Sequence, residues 1–338
     1  MSPKVALLKA AALSGLSGIA RRVSARQLRI LCYHGLWLGE DRPYGNCLFM
    51  TPAMFDSRMR ALRRSGRPVL GLDEAVARLS AGDLPEAAVV ITIDDGWASA
   101  HSHMLPILER YELPATLYAT TWYSGRDLPV INVAVGYLLA AAGCDPSARA
   151  REIRRIEQLP ERDRLAALRD LGRSLGVGEA WLDRRQFHLM RPAEIADAHA
   201  RGLDIQMHTH RHIDVAANLG LLAREIEDNR AFLAAAGVPE PRHFCYPSGT
   251  WHRLAPAMLA AEGVASATLV DEGLNPPGTD PHALRRFVDG PAVSRAEFHA
   301  YLSGSLEYLA HMRRIADGIR FEAPRRAAAA SSLLLCAV

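Results

Sequence analysis

Short apolar runs rich in Val, Ile and Leu recur along this chain, and each is followed by a longer stretch in which apolar positions return every three or four residues. That alternation predicts parallel βα units. Runs at 28–33, 89–93, 115–120, 203–207, 243–246, 266–270 and 283–288 read as strands. Helical spacing is found at 51–65, 72–79, 98–111, 219–236, 253–261 and 294–302, the first opening with Thr51 as cap and Pro52 in the first helical position. Such a series suits a βα-barrel, although an open doubly wound sheet has the same pattern. In a barrel, the groups that do chemistry gather at the C-terminal ends of the strands.

The segment at about 125–191 breaks the alternation. It is Arg- and Ala-rich and helically patterned, which predicts a helical insertion, either a lid over the site or a solvated pair of helices. Residues 1–27 form a separate N-terminal segment. Leu8, Leu13, Leu16 and Ile19 recur near helical spacing, followed by Arg21, Arg22, Arg26 and Arg29. The pattern fits an amphipathic helix lying on an anionic membrane surface, or equally one packed on its own domain. Residues 305–338 read as a C-terminal helical segment and tail. The apolar stretches at both ends are too short to span a bilayer.

Composition narrows the class further. Of 338 residues 49% are hydrophobic and 23% charged, enough for a large core. A net charge of +3, with arginines scattered and no basic stripe, argues against nucleic acid as a partner. The five cysteines, Cys32, Cys47, Cys144, Cys245 and Cys336, are odd in number and contain no CxxC pair. Neither a disulfide framework nor a zinc ribbon is expected, and a reducing, cytoplasmic compartment fits best, with the N-terminal segment as a peripheral seat on the inner membrane surface.

Candidate chemistry lies at three predicted strand ends. VVITIDDGW delivers adjacent carboxylates, Asp94 and Asp95, from a buried run. Two like charges there are costly unless paired or bound to a cation. LDIQMHTHRHIDV places His208, His210 and His212 just past another strand, and three imidazoles in so short a stretch are the donors zinc prefers. A continued strand would put all three on one face, whereas a turn after Met207 would let His208 and His212 converge with His210 pointing away. The third segment, RHFCYPSGTW, ends a strand in a Tyr246-Pro247-Ser248-Gly249 turn whose backbone amides can face a pocket.

The order ITIDDG, HTHRH, FCYPSG, with an opening ILCYHG, resembles the polysaccharide deacetylases of carbohydrate esterase family four, over roughly 28–304. The resemblance implies an α/β fold, a distorted (β/α) barrel with about seven parallel strands. It implies a divalent metal, zinc by expectation, on Asp95, His208 and His212, with Asp94 as general base. The Ser248 N–H would serve the oxyanion, and Tyr246, Pro247, Gly249 and Trp97 would meet the substrate. That substrate would be an acetylated glycan or lipid-linked saccharide, losing N-acetyl or, less readily, O-acetyl groups.

Two departures stand out. The family's base-orienting arginine aligns with Cys245, leaving Arg242, Arg285 and Arg286 as substitutes. There is no leucine-histidine motif near the C-terminus for a general acid, and the candidates are His282, His243 and His101. Tyr33 and His34 stand either on the pocket floor or as a structural pair. Trp122 and Trp251, like Trp97, lie at strand or helix ends and are sugar-stacking or core-edge residues. Two other readings compete. One is an amidohydrolase or phosphoesterase built on the His208–His210 pair, and the other is a saccharide-binding protein without turnover.

Overall fold

Every residue of the strands Arg29–Tyr33 (β1) and Val89–Ile93 (β2) is buried, as parallel strands covered by helices on the outside must be. The computed structural model describes residues 15–40 and 48–316, together with 5, 6 and 8. The remaining strands are Thr116–Ala119 (β3), Asp204–Met207 (β4), His243–Cys245 (β5), Ser266–Thr268 (β6) and Phe287–Val288 (β7). They form one seven-stranded parallel sheet in the order β6-β5-β4-β3-β2-β1-β7.

The sheet curls into a distorted (β/α) barrel, and the run expected as one strand at 283–288 closes it. Leu284 bridges Thr268 of β6, whereas Phe287 and Val288 pair with Leu31 and Cys32 of β1. The elbow between these two pairings, Arg285-Arg286, is why β7 is short. It also aims Arg286 into the barrel, where its side chain is fully buried.

Outside the barrel lie Leu16–Val23 (α1), Pro52–Arg64 (α2), Leu72–Ala81 (α3) and Leu105–Tyr111 (α4). The expected helix at 98–111 begins instead as a π turn, Ala100–Met104. Pro106 has no N–H for the carbonyl four residues back, so the α register cannot run unbroken through this point.

The insertion holds Ile131–Ala141 (α5), Arg149–Glu157 (α6), Glu161–Ser174 (α7) and Ala180–Asp183 (α8). It has its own apolar core, built from Ile131, Leu138, Ile156, Leu168, Trp181 and Phe187 and extended by Trp37, Phe49 and Trp97 from the barrel loops. The solvated-pair reading therefore fails. Helices Pro192–Ala200 (α9), Leu222–Ala235 (α10), Ala255–Ala261 (α11), Arg295–Leu302 (α12) and Ser305–Ala316 (α13) complete the described chain.

At the closed end, Ser305 Oγ donates to Ser17 Oγ at 3.2 Å, tying α13 to α1. Arg29, grouped with the surface arginines in the sequence, lies on β1 and is fully buried. It donates to the Leu302 and Gln27 carbonyls at 2.7 and 2.8 Å. Leu13, Cys47 and Cys336 fall outside the described residues.

Candidate active site

Backbone bonds between neighbouring strands bring the loop starts together. Asp94 N–H donates to the Tyr33 carbonyl at 2.8 Å, and Thr120 N–H to that of Asp95 at 3.1 Å. Four non-glycine residues of these loops sit in the left-handed region: Asp95 (φ 75°), Thr209 (φ 60°), His212 (φ 53°) and Ser248 (φ 53°). Each costs on the order of 1–3 kcal/mol and persists only where the surroundings over-determine it. The turn at Asp95 separates the adjacent carboxylates, so that Asp94 faces β7 and Asp95 faces the β4 loop.

Asp95 Oδ1 lies 3.3 Å from His208 Nε2 and 3.5 Å from His212 Nε2, and all three side chains are nearly inaccessible to solvent. Bonds of 2.0–2.2 Å around one tetrahedral ion would separate their donor atoms by about 3.3 Å, so this donor set fits a divalent metal. The orientation is fixed from behind. His208 Nδ1 bonds to the Cys245 carbonyl at 2.8 Å, turning Nε2 toward the site. Trp97 Nε1–H donates to Asp95 Oδ2 at 2.8 Å, leaving Oδ1 for the imidazoles.

His210 points away. Its Nδ1 lies 2.7 Å from Thr121 Oγ1 and its ring packs edge-on against Trp122. Its carbonyl accepts from the Thr121 and Trp122 N–H groups. The arrangement is the turned alternative, and nothing here unites His208 with His210.

Asp94 is outside this triad and belongs to Arg286. The guanidinium makes forked bonds of 2.7 and 2.6 Å to the two carboxylate oxygens, with its Nε–H on the Leu269 carbonyl at 2.7 Å. Burial alone would raise the Asp94 pKa, yet the Arg286 charge and its hydrogen bonds hold it down at about 2. The Cys245 thiol, where the family's arginine aligns, lies 3.4 Å from Asp94 Oδ2 and 3.1 Å from the Arg286 guanidinium. A small side chain on β5 leaves room for an arginine arriving from the β7 elbow. Arg285 instead reaches the Glu272 carbonyl, and Arg242 lies near Asp73.

The pocket between these groups is lined by His34, Leu48, Asp94, Asp95, His208, His212, Ser248, Val270 and Val288. Ser248 reaches it because Gly249 allows a close turn: at φ +68° a Cβ there would stand 2.2 Å from Val270 Cγ2. The Ser248 N–H makes no hydrogen bond among the described residues.

Three residues expected on the substrate lie elsewhere. Trp97 is fully buried in the insertion's core. Tyr246 packs edge-on against Phe244, with its hydroxyl on the His282 carbonyl. Pro247 is buried in the turn behind Ser248. Sequence pattern is the same for an aromatic at a strand end whether it faces the core, as Trp97 and Tyr246 do, or the pocket.

His282, His243 and His101 are also absent from the pocket. His282 bonds the Val264 carbonyl, His243 the Ser266 hydroxyl and His101 the Asp197 carboxylate. The imidazole that lines it besides His208 and His212 is His34, at the end of β1. Its Nδ1 is buried without a partner, and burial lowers its pKa. The signal for it was its place after a predicted strand, the same signal that marked Asp94. Trp122 is covered on its ring by the Arg126 guanidinium at 3.5 Å, and Trp251 packs at the barrel core.

The chain belongs to the polysaccharide deacetylase family, whose model matches residues 81–266, more than half of its length. Among curated relatives, YxkH of Bacillus subtilis (strain 168), named as a candidate polysaccharide deacetylase, is 31% identical over 93 residues. That match covers 27% of this chain and 31% of YxkH, so the chain spans about a third of the length of this relative. Solved structures share the fold, two of them as follows. The Streptococcus pyogenes deacetylase PplD, solved with acetate, is 17% identical with a TM-score of 0.58, over 82% of this chain and 98% of its own. IcaB from Ammonifex degensii is 20% identical with a TM-score of 0.58, over 82% and 97%. No helix among the described residues is long and apolar enough to cross a membrane.

Proposed function

We propose that this protein is a metal-dependent hydrolase that removes N-acetyl groups from an amino-sugar polysaccharide or a lipid-linked saccharide. The observation that carries the reading is the division of labour at the pocket. Asp95, His208 and His212 converge their donor atoms, while Asp94 stands beside them, ionised and held by another residue. Family membership supports deacetylation, and the donor set supports zinc.

Asp95, His208 and His212 would hold the ion, which supplies polarisation of the acetyl carbonyl and a water of lowered pKa. Asp94 takes the attacking water's proton on a carboxylate oxygen that Arg286 keeps oriented. The Ser248 N–H donates to the developing oxyanion, worth roughly 3–4 kcal/mol for one well-placed donor. The proton that Asp94 takes up then goes to the departing amine, relayed by the His34 imidazole, whose ring nitrogen lies within 4.8 Å of the Asp94 carboxylate. Leu48, Val270 and Val288 exclude water around the reacting carbon.

We assign this chemistry to 28–304, with 1–27 and 305–338 as flanking segments. The α1 helix exposes Ile19 and Val23 beside Arg21 and Arg22. This supports a peripheral seat on the cytoplasmic face of a membrane, within reach of a lipid-linked substrate.

The test pairs metal content with acetate release. Wild type and Asp94→Asn are purified, bound zinc is quantified, and both are assayed on acetylated chito-oligosaccharides. Zinc in both with acetate from wild type alone is expected. Zinc in both and acetate from neither, across N- and O-acetylated glycans, would favour a binding protein. A wild type that takes up no zinc on reconstitution would sink the mechanism. His210→Ala should retain zinc where His212→Ala loses it, which separates this reading from one built on the His208–His210 pair.

A further inference from the structure

The helical insertion meets the backbone of the site loops through a short stretch at its end. As the chain leaves it, residues 186–190 are stitched to two catalytic loops. Ala98 N–H donates to the His188 carbonyl at 2.9 Å and Met190 N–H to that of Gly96 at 2.8 Å, a small antiparallel ladder centred on Trp97 and Leu189. The Gln186 side chain donates to the Leu36 carbonyl at 2.8 Å and accepts from Leu38 N–H at 2.7 Å, holding the loop that follows His34.

Between these attachments the Trp97 indole is fully buried. Phe49 meets it edge-on at 4.9 Å, and Phe187 from the insertion stacks on Phe49 at 6.2 Å. Gly35 lets the rings approach the β1 loop: a Cβ there would lie 2.7 Å from the Phe49 ring and 3.0 Å from Trp97. The one polar atom of the indole is spent on Asp95 Oδ2.

We propose that Trp97 is a positioning residue for the metal ligand Asp95, and that the insertion is the scaffold that keeps its indole aimed. This rests on the metal reading above. A carboxylate with both oxygens free can rotate or bind an ion through either. With Oδ2 committed to a rigid donor, Oδ1 is presented alone to His208 and His212. Outer partners of this kind typically contribute 10–100-fold in metal affinity.

The test measures zinc affinity by competition with a chromophoric chelator, alongside the melting temperature of the metal-free proteins. Trp97→Phe keeps the ring and removes the N–H, and should weaken zinc by about 10–100-fold. Phe187→Leu, which loosens the insertion and keeps the N–H, should weaken it in the same direction by less, and it decides the matter if Trp97→Phe does not fold. Leu259→Ala, on the buried face of α11 against the barrel core, should lower the melting temperature and leave zinc affinity unchanged. Wild-type affinity in Trp97→Phe, or an equal loss in Leu259→Ala, would overturn the proposal and leave the metal reading standing. A wild type that binds no zinc would overturn both.

Discussion

Arg286 grips Asp94 through two charge-assisted hydrogen bonds, 2.7 and 2.6 Å long, deep inside the barrel. The two residues are far apart in sequence: Arg286 stands in the elbow where the sheet closes, and Asp94 follows β2, two strands along from β7. A forked guanidinium both neutralises the buried carboxylate and fixes its plane, which a point charge cannot do.

Arg286→Lys should therefore fold and bind zinc, yet lose about 10–100-fold in kcat, because an ammonium supplies charge without the fork. Arg286→Met should be worse, destabilised by about 3–5 kcal/mol through an unpaired buried carboxylate. The sign of the pH effect follows from the cause of the shift. Arg286 holds the Asp94 pKa down at about 2 against the opposing pull of burial, so its loss raises that pKa. The acid limb of the rate profile should move to higher pH in Arg286→Met, and by less in Arg286→Lys, which keeps the charge. An unmoved limb would mean that Asp94 is not the group being ionised.

Gly249→Ala should be among the most damaging small substitutions in the chain. The added methyl would meet Val270 Cγ2 at 2.2 Å with the backbone at φ +68°. Relief requires moving the turn that presents the Ser248 N–H. Activity should fall by about 10²–10³-fold, the loss typical of one oxyanion donor, with zinc content unchanged. A variant that keeps its turnover would remove Ser248 from the reaction.

Ile19 is 52% and Val23 64% exposed, on a helix that also carries Arg21 and Arg22 at its surface. Co-flotation of the full chain with vesicles containing anionic lipid should fall on Ile19→Ser/Val23→Ser and on raising salt. Flotation with neutral vesicles should be weak, since two apolar side chains contribute only about 3–6 kcal/mol if fully inserted. Equal flotation of the double variant would show that α1 is not the contact.

The barrel was legible because its longer strands are short, buried, mostly apolar runs, and Val89–Ile93 was read to the residue. What escaped was set by long-range closure. Nothing local to Leu284-Arg285-Arg286-Phe287 says that the run bends between two partner strands, or which arginine turns inward. The metal candidates were legible for a different reason. Asp95, His208 and His212 are hydrophilic residues where a buried strand ends, and that contradiction shows in sequence. Trp97 misled because an apolar side chain at a strand end signals neither core nor sugar. Only the Phe49 and Phe187 rings and the Asp95 oxygen around it decide.

His34 offers the sharpest chemical test, because its assigned task depends on what leaves. It lines the pocket beside Asp94, and His282, His243 and His101, the acid candidates from sequence, are all bonded elsewhere. An amine must be protonated to depart from the tetrahedral adduct, whereas a nitrophenolate leaves as the anion. If His34 delivers that proton, His34→Asn should lose about 10²–10⁴-fold on an N-acetylated chito-oligosaccharide, the usual contribution of a general acid. On p-nitrophenyl acetate the same variant should stay within about tenfold of wild type, since positioning and the oxyanion donor are untouched. Zinc content measured on the same samples guards against a trivial loss of the site. Equal losses on both substrates, with zinc retained, would make His34 a residue that shapes the pocket, and the amine would have to take its proton from elsewhere.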